Sequence, residues 1–238
     1  MEQKRWVIPD IHGYVKTLKS LLAQIHPSKE DHLIFLGDYI DRGPDSKGVI
    51  DEIMNLQNNG YRVTPLMGNH EEFLLRNYDY AMQNSRFLQK LKPNRIKKEW
   101  YEFGGKDTMK SFGTRSIIDI PQKYIEWMRK LDYYLEMKDY VIVHAGLNFK
   151  PQNVFQDKHA MLWAKEFNIV SSKIGYRQLV HGHTPVDLEY IHHCINQEKL
   201  EFLDLDNGVY MTQKPGYGNL LAFELNKRLL ITQHNEDE

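Results

Sequence analysis

Five short polar clusters stand out along the chain: Asp10-Ile11-His12-Gly13, Gly37-Asp38-Tyr39-Ile40-Asp41-Arg42-Gly43, Gly68-Asn69-His70-Glu71, His144-Ala145-Gly146 and His181-Gly182-His183-Thr184. Asp10, His12, Asp38, Asn69, His144 and His183 together offer two carboxylates, one amide oxygen and three imidazoles. Such a mixture suits Mn²⁺, Fe or Zn²⁺ better than Mg²⁺ or Ca²⁺, which prefer all-oxygen shells. Six donors are too many for one catalytic metal that keeps open positions, but they suffice for two metals if a carboxylate is shared. Asp38 is the natural bridge. Paired divalent cations about 3.5–4 Å apart stabilise in-line displacement at phosphorus and activate water.

These clusters need a scaffold that brings them together, and apolar β-branched runs alternating with helical patterns supply one. Arg5–Ile8, Leu33–Leu36 and Tyr61–Met67 read as strands, and Tyr14–Ile25 and Ser46–Leu56 read as helices with one apolar face. This β-α-β-α-β order predicts an α/β sheet. Further strands are predicted at Tyr140–Val143, Gln178–Val180, Leu200–Leu205 and Leu220–Phe223, with hairpin-like spacing near the end. The polar clusters follow predicted strands, and loops at the carboxyl ends of strands are where open α/β sheets bind ligands. Each Gly in them allows a sharp turn. The organisation expected is a single domain over residues 1–238, with a helical insert over about 71–130 and a frayed tail at 233–238.

Composition narrows the class of function. With 41% hydrophobic and 26% charged residues, the chain has an ordinary soluble composition. The 31 Lys+Arg and 32 Asp+Glu nearly cancel, so no electrostatic footprint for nucleic acid or an anionic membrane is expected. No apolar run reaches the ~20 residues of a membrane helix, and no signal peptide is read at the start. The single cysteine, Cys194, precludes an intrachain disulfide and fits a reducing compartment, so a cytoplasmic location is expected.

The motifs PDIHG, GDYIDRG, GNHE, HAG and GHT resemble, in order and spacing, those of the phosphoprotein phosphatase family of dinuclear metallophosphoesterases. The likeness runs from about Trp6 to about Leu225 and is greatest to the small bacterial Ser/Thr phosphatases, which also resemble symmetrical diadenosine tetraphosphate hydrolases. It implies a calcineurin-like sandwich of two mixed β-sheets flanked by helices. It also implies two divalent metals, most readily Mn²⁺, with Asp10, His12 and Asp38 holding one and Asp38, Asn69, His144 and His183 the other. In the same likeness His70 is the general acid paired with Asp41, Arg42 clamps phosphate, and water or hydroxide between the metals is the nucleophile. The activity implied is phosphomonoester hydrolysis on phosphoserine or phosphothreonine, with phosphotyrosine or a small phosphoester also in range. Dinucleoside polyphosphate hydrolysis is the alternative, and a degenerate metal-binding module a second one.

The chain departs from the family pattern twice. Pro9 replaces the usual Gly before Asp10, which removes an N–H and fixes φ. In Leu162-Trp163-Ala164-Lys165, Lys165 replaces an Arg that contacts phosphate, keeping the charge but losing the planar fork. Elsewhere, His181 is read as a supporting or structural residue, and His192-His193-Cys194 as hairpin or surface. Asp45 and Ser46 are read as a helix cap, Gly104-Gly105-Lys106-Asp107-Thr108 as a substrate-side loop or else a helix break, and Lys90–Lys98 as a solvated helical face. Tyr78, Tyr80, Phe87, Trp100, Tyr101 and Phe103 are read as core.

Overall fold

Side-chain alternation along the strands determines the layers. In the computed structural model, which describes residues 3–84, 95–197 and 200–237, β1 (Arg5–Ile8) pairs in parallel with β2 (His32–Phe35), and β2 with β3 (Arg62–Pro65). Trp6, Ile8, Leu33 and Phe35 point to one face, where α1 (Val15–Ile25) and α2 (Ser46–Asn58) bury Leu18, Leu21, Val49, Ile50 and Ile53 against them. Val7, Ile34 and Leu36 point to the opposite face. Strands apolar on both faces are what a sheet covered on both sides requires, and each fully buried Leu or Ile contributes about 1.5–3 kcal/mol.

The next segment holds α3 (Asn69–Gln83), α4 (Arg95–Glu102), α5 (Gly105–Ser111) and α6 (Gln122–Met128). A second sheet follows. Its strands are β4 (Tyr134–Glu136), β5 (Tyr140–Val143), β6 (Gln178–His181) and β7 (Phe202–Asp204), in that order, with α7 (Lys158–Trp163) and α8 (Leu188–Asn196) in the connections. Finally β8 (Asn219–Glu224) and β9 (Leu229–His234) form an antiparallel hairpin, and β8 joins the first sheet beside β1, giving the order β3-β2-β1-β8-β9. Ile142, Val180 and Leu203 of the second sheet meet Val7, Ile34, Leu221 and Phe223 of the first in one shared core. The fold is therefore two mixed sheets face to face, flanked by helices.

Two short-range expectations differ from the structure. His192-His193-Cys194 lies on α8 rather than on a hairpin. Ile191, Cys194 and Ile195 form its buried face, His192 and His193 are exposed, and Asp187 caps the helix through Tyr190 N at 2.8 Å. Residues 233–237, expected to fray, are hydrogen-bonded to the rest of the protein. Tyr14 gives α1 no side-chain cap, and the tail supplies one. Asp237 accepts from the Lys16 and Thr17 backbone N–H groups at 3.0 and 2.8 Å and from the Thr17 hydroxyl at 2.7 Å. Asn235 donates to the Val209 carbonyl at 2.9 Å. Asp237→Ala is expected to destabilise the protein by about 1 kcal/mol, the usual value of a helix N-cap. The shift should appear in the urea midpoint with an unchanged slope; an unmoved midpoint would show that the tail does not act as a cap.

Of the aromatic residues expected in the core, Tyr78 and Trp100 are buried and Tyr80 and Tyr101 half-buried, whereas Phe103 is 45% exposed. Phe87 and most of Lys90–Lys98 lie outside the described residues; Lys98 is exposed and pairs with Glu102 along α4.

Candidate metal centre

All the loops predicted to carry chemistry meet at the carboxyl ends of the central strands. Backbone conformation marks the place. Among the described residues, eight non-glycine positions have positive φ, and five of them are His12, Asp38, Asp41, Arg42 and His183. Each such residue costs about 1–3 kcal/mol of strain and persists only where its surroundings enforce it. Here the enforcement is visible. His12 N donates to the Asp38 carbonyl at 2.8 Å. Glu71 accepts from the Asp38 and Tyr39 backbone N–H groups at 2.9 and 2.8 Å and from Gly68 N at 3.1 Å. Gly68 must be glycine, because a Cβ there would stand 2.2 Å from both the Asp38 N and Oδ1.

Asp38 sits between two groups of donors. On one side are His12 and His70, with Nε2 atoms 3.7 and 3.8 Å from Asp38 Oδ2. On the other are His144, 3.5 Å from Oδ1 by its Nε2, and His183. Asn69 Oδ1 completes the second group, 2.8 Å from His144 Nε2 and 3.0 Å from His183 Nδ1. Two ring orientations are set from behind: His12 Nδ1 donates to the Ile40 carbonyl at 2.9 Å, and His144 Nδ1 to the Leu36 carbonyl at 3.0 Å. Both rings thus turn an unprotonated Nε2 toward Asp38, as metal-ligating imidazoles do.

Asp10 lies at the edge of this arrangement. Its Oδ1 accepts from His183 N at 3.2 Å, while its buried Oδ2 has no partner. Pro9 follows the end of β1 at Ile8, and Asp10 is buried but belongs to neither of the two close donor groups around Asp38. Burial, then Asp206 and Asp38, push the Asp10 carboxyl well above its usual range. Asp38 moves the other way. Burial opposes its charge, but His144, His70, His12 and His183 hold it well below the carboxylate range. A buried carboxylate orphaned beside other carboxylates, and imidazoles depressed by burial at His12, His144 and His183, form a set that a cation would satisfy. The donors therefore fit divalent metal on chemistry, charge and orphaned atoms.

His70 differs from the other three imidazoles. Its Nδ1 donates to Asp41 Oδ2 at 2.7 Å, leaving Nε2 toward Asp38. Burial works against its charged form, yet Asp38 and Asp41 outweigh it and hold its pKa above the ordinary histidine value. Three residues that the sequence reading did not connect with Asp41 hold it. Trp100 Nε1 donates to its Oδ2 at 2.9 Å, Thr108 Oγ1 to its Oδ1 at 2.5 Å, and the Ser46 and Thr108 hydroxyls accept from its backbone N–H at 3.0 and 2.9 Å. The Gly104–Thr108 stretch breaks the helix between α4 and α5, with Gly104 against Arg42 and the buried Thr108 behind Asp41. Asp45 caps α2 as expected, through Gly48 N at 2.8 Å.

Arg42 lies over the Tyr210 ring, 4.0 Å from its centre, with a buried Nε that has no partner. Tyr210 carries no motif that could have flagged it. Lys165 is exposed, and its charge is felt at His183. Phe103 stands edge-on to His70, with ring centres 6.2 Å apart.

Two sheets packed face to face, with a shared carboxylate between two sets of His, Asp and Asn donors at the strand ends, define a metallophosphoesterase. The chain belongs to the calcineurin-like phosphoesterase family, whose sequence model matches residues 4–211. It is 26% identical over 190 residues to serine/threonine-protein phosphatase 1 of Salmonella typhimurium, covering 76% of this chain and 78% of that protein. It is 28% identical over 172 residues to the symmetrical bis(5'-nucleosyl)-tetraphosphatase of Pectobacterium atrosepticum, covering 72% of this chain but only 52% of that protein, about half its length. A Saccharomyces cerevisiae protein serine/threonine phosphatase with similarity to human PP5 shares the fold, with a TM-score of 0.66 at 15% identity over 100% of this chain and 81% of that one. The family is dinuclear-metal dependent. Among the described residues, no helix is long and apolar enough to cross a membrane.

Proposed function

We propose that the protein is a metal-dependent phosphomonoesterase acting on phosphoserine or phosphothreonine in peptides or proteins. The observation that carries this reading is His70, held by Asp41 at 2.7 Å with its other nitrogen toward Asp38, the carboxylate common to both donor groups. A proton donor is thereby fixed beside the place where phosphate would lie.

In this reading Asp10, His12 and Asp38 hold one divalent metal, and Asp38, Asn69, His144 and His183 the other, with Mn²⁺ the first choice and Fe or Zn²⁺ also compatible. Bound there, the metals would supply Lewis acidity toward phosphoryl oxygen and lower the pKa of water. The chain's own groups do the rest. Arg42 presents a guanidinium whose planar fork matches two phosphate oxygens, and its stacking on Tyr210 orients that fork. His70 protonates the leaving oxygen through Nε2. Asp41 holds the proton on Nδ1 and offsets the charge of the imidazolium. Trp100 and Thr108 keep Asp41 in place.

Lys165 lends a point charge near His183 where a fork would bind better. Lys165→Arg is expected to lower KM for a phosphomonoester several-fold with kcat little changed, because it adds ground-state and transition-state binding alike. Steady-state kinetics test this; unchanged KM and kcat would remove Lys165 from phosphate contact.

The decisive assay presents Mn²⁺-loaded protein with a phosphoserine peptide, p-nitrophenyl phosphate and diadenosine tetraphosphate. Turnover of the first two at higher kcat/KM than the third supports the reading. A large advantage for the dinucleotide would replace it with polyphosphate hydrolysis. Failure to turn over any of them with metal bound would point to a binding module.

A further inference from the structure

A cavity of about 790 Å³ shares only Lys165 with the groups given a role above. It opens beside the candidate centre, since Ala145 and Gly182 on its wall are the chain neighbours of His144 and His183. Its floor comes from β6 and β7, where His181 and Asp204 lie opposite each other in parallel register. Both residues are only 6% exposed. His181 Nδ1 donates to the Gly182 carbonyl at 3.2 Å, so Nε2 of the neutral ring is an acceptor, and it has no partner. Asp204 accepts one backbone N–H, from Asp206 at 3.3 Å, and burial, then the Asp206 carboxylate, push its carboxyl well above the usual range. The floor thus holds an unpartnered imidazole nitrogen and a buried carboxyl with no cation beside it among the described residues.

The walls are aromatic. Phe167 stands edge-on to the His181 ring at 5.3 Å and Phe202 tilts against it at 5.8 Å, while Tyr190 and Tyr217 also line the space. Glu166 and Asp187 add carboxylates, and Lys165 is the cation among the lining residues. It is exposed, and its charge lowers the His183 pKa. A buried acceptor without a donor is costly, and aromatic faces attract cations. An occupant that answers all of these features brings N–H donors and positive charge together. A neutral amino group, such as that of a nucleobase, brings the donors without the charge.

We propose that this cavity is a cation subsite, which takes the guanidinium or ammonium group of an arginine or lysine close in sequence to the phosphorylated residue of a peptide substrate. The proposal rests on the phosphopeptide reading above and adds a sequence preference to it.

The test compares kcat/KM for phosphoserine peptides that carry arginine, or alanine, at successive positions on either side of the phosphoserine. At one or two positions arginine is expected to raise kcat/KM about tenfold over alanine, within the range of a desolvated cation–π and carboxylate contact. Asp204→Asn should bring that ratio close to one. Asp187→Asn, at a half-exposed position where folding is less at risk, should reduce it partly. A ratio near one at every position in the parent, or a ratio that survives Asp204→Asn in folded protein, would overturn the proposal. A binding readout separates this outcome from failure of the phosphopeptide reading. N-acetyl-arginine amide should raise the Tm of the parent but not that of Asp204→Asn, even if no peptide is turned over. Absence of that shift in the parent would overturn the subsite whatever the kinetics show, and an equal shift from adenosine would reassign the cavity to a nucleobase.

Discussion

Asp38→Asn is expected to lower kcat/KM for every phosphoester by about three orders of magnitude or more, and to lower the metal content of the purified protein with it. The size follows from its position. Among the described residues, Asp38 is the carboxylate common to both donor groups, with Oδ2 facing His12 and His70 and Oδ1 facing His144. Its amide replacement keeps the shape but removes the charge that four surrounding imidazoles stabilise, and the Lewis acidity lost with the metals amounts to several kcal/mol. The backbone should be little disturbed. The positive φ of Asp38 suits Asn equally well, and the Glu71 bonds that hold the loop go to backbone N–H groups. Elemental analysis beside circular dichroism therefore separates loss of metal from loss of fold. An Asp38→Asn protein with the parent's metal content would remove the shared-carboxylate assignment.

His70→Asn should behave differently. It removes the proton donor while leaving Asp10, His12, Asp38, Asn69, His144 and His183 in place, so metal content should persist. General acid catalysis contributes about 10²–10⁴-fold when the leaving group is poor. The expected loss is therefore of that order on a phosphoserine peptide, and less than about tenfold on p-nitrophenyl phosphate, whose leaving group departs readily as an anion. Asp41→Asn should reproduce the pattern more weakly, because it loosens the ring without removing it. Equal losses on both substrates would mean that His70 acts as a metal ligand, a role its place in the His12–Asp38–His70 group also permits geometrically. Its bond to Asp41 and its raised pKa favour the acid.

The parts of the fold that were legible in the sequence are those whose signals are local. Val7, Ile34 and Ile142 lie in short apolar runs, and the structure makes each of them strand. The five clusters combined donor residues with glycine at the ends of such runs, and the structure brings Asp10, His12, Asp38, Asn69, His144 and His183 to one crevice. Contacts between distant segments were not legible. Thr108 reaches Asp41 across 67 positions, and Asp237 reaches Thr17 across 220; no periodicity encodes either pairing. β4 and β9 were missed because their residues are mostly half-buried or exposed, which weakens the alternation. The α8 pattern, with Ile191, Cys194 and Ile195 after a capping Asp187, was present but masked by the histidine pair. Phe103, apolar and expected in the core, stands exposed beside His70 and Phe73.

The most direct measurement is anomalous X-ray scattering from crystals of the Mn²⁺-loaded protein. Two peaks about 3.5–4 Å apart, with Asp38 between them, Asp10 and His12 on one and Asn69, His144 and His183 on the other, is the predicted result. A single peak, or two peaks that Asp38 does not join, would contradict the shared metal centre from which the proposed chemistry follows.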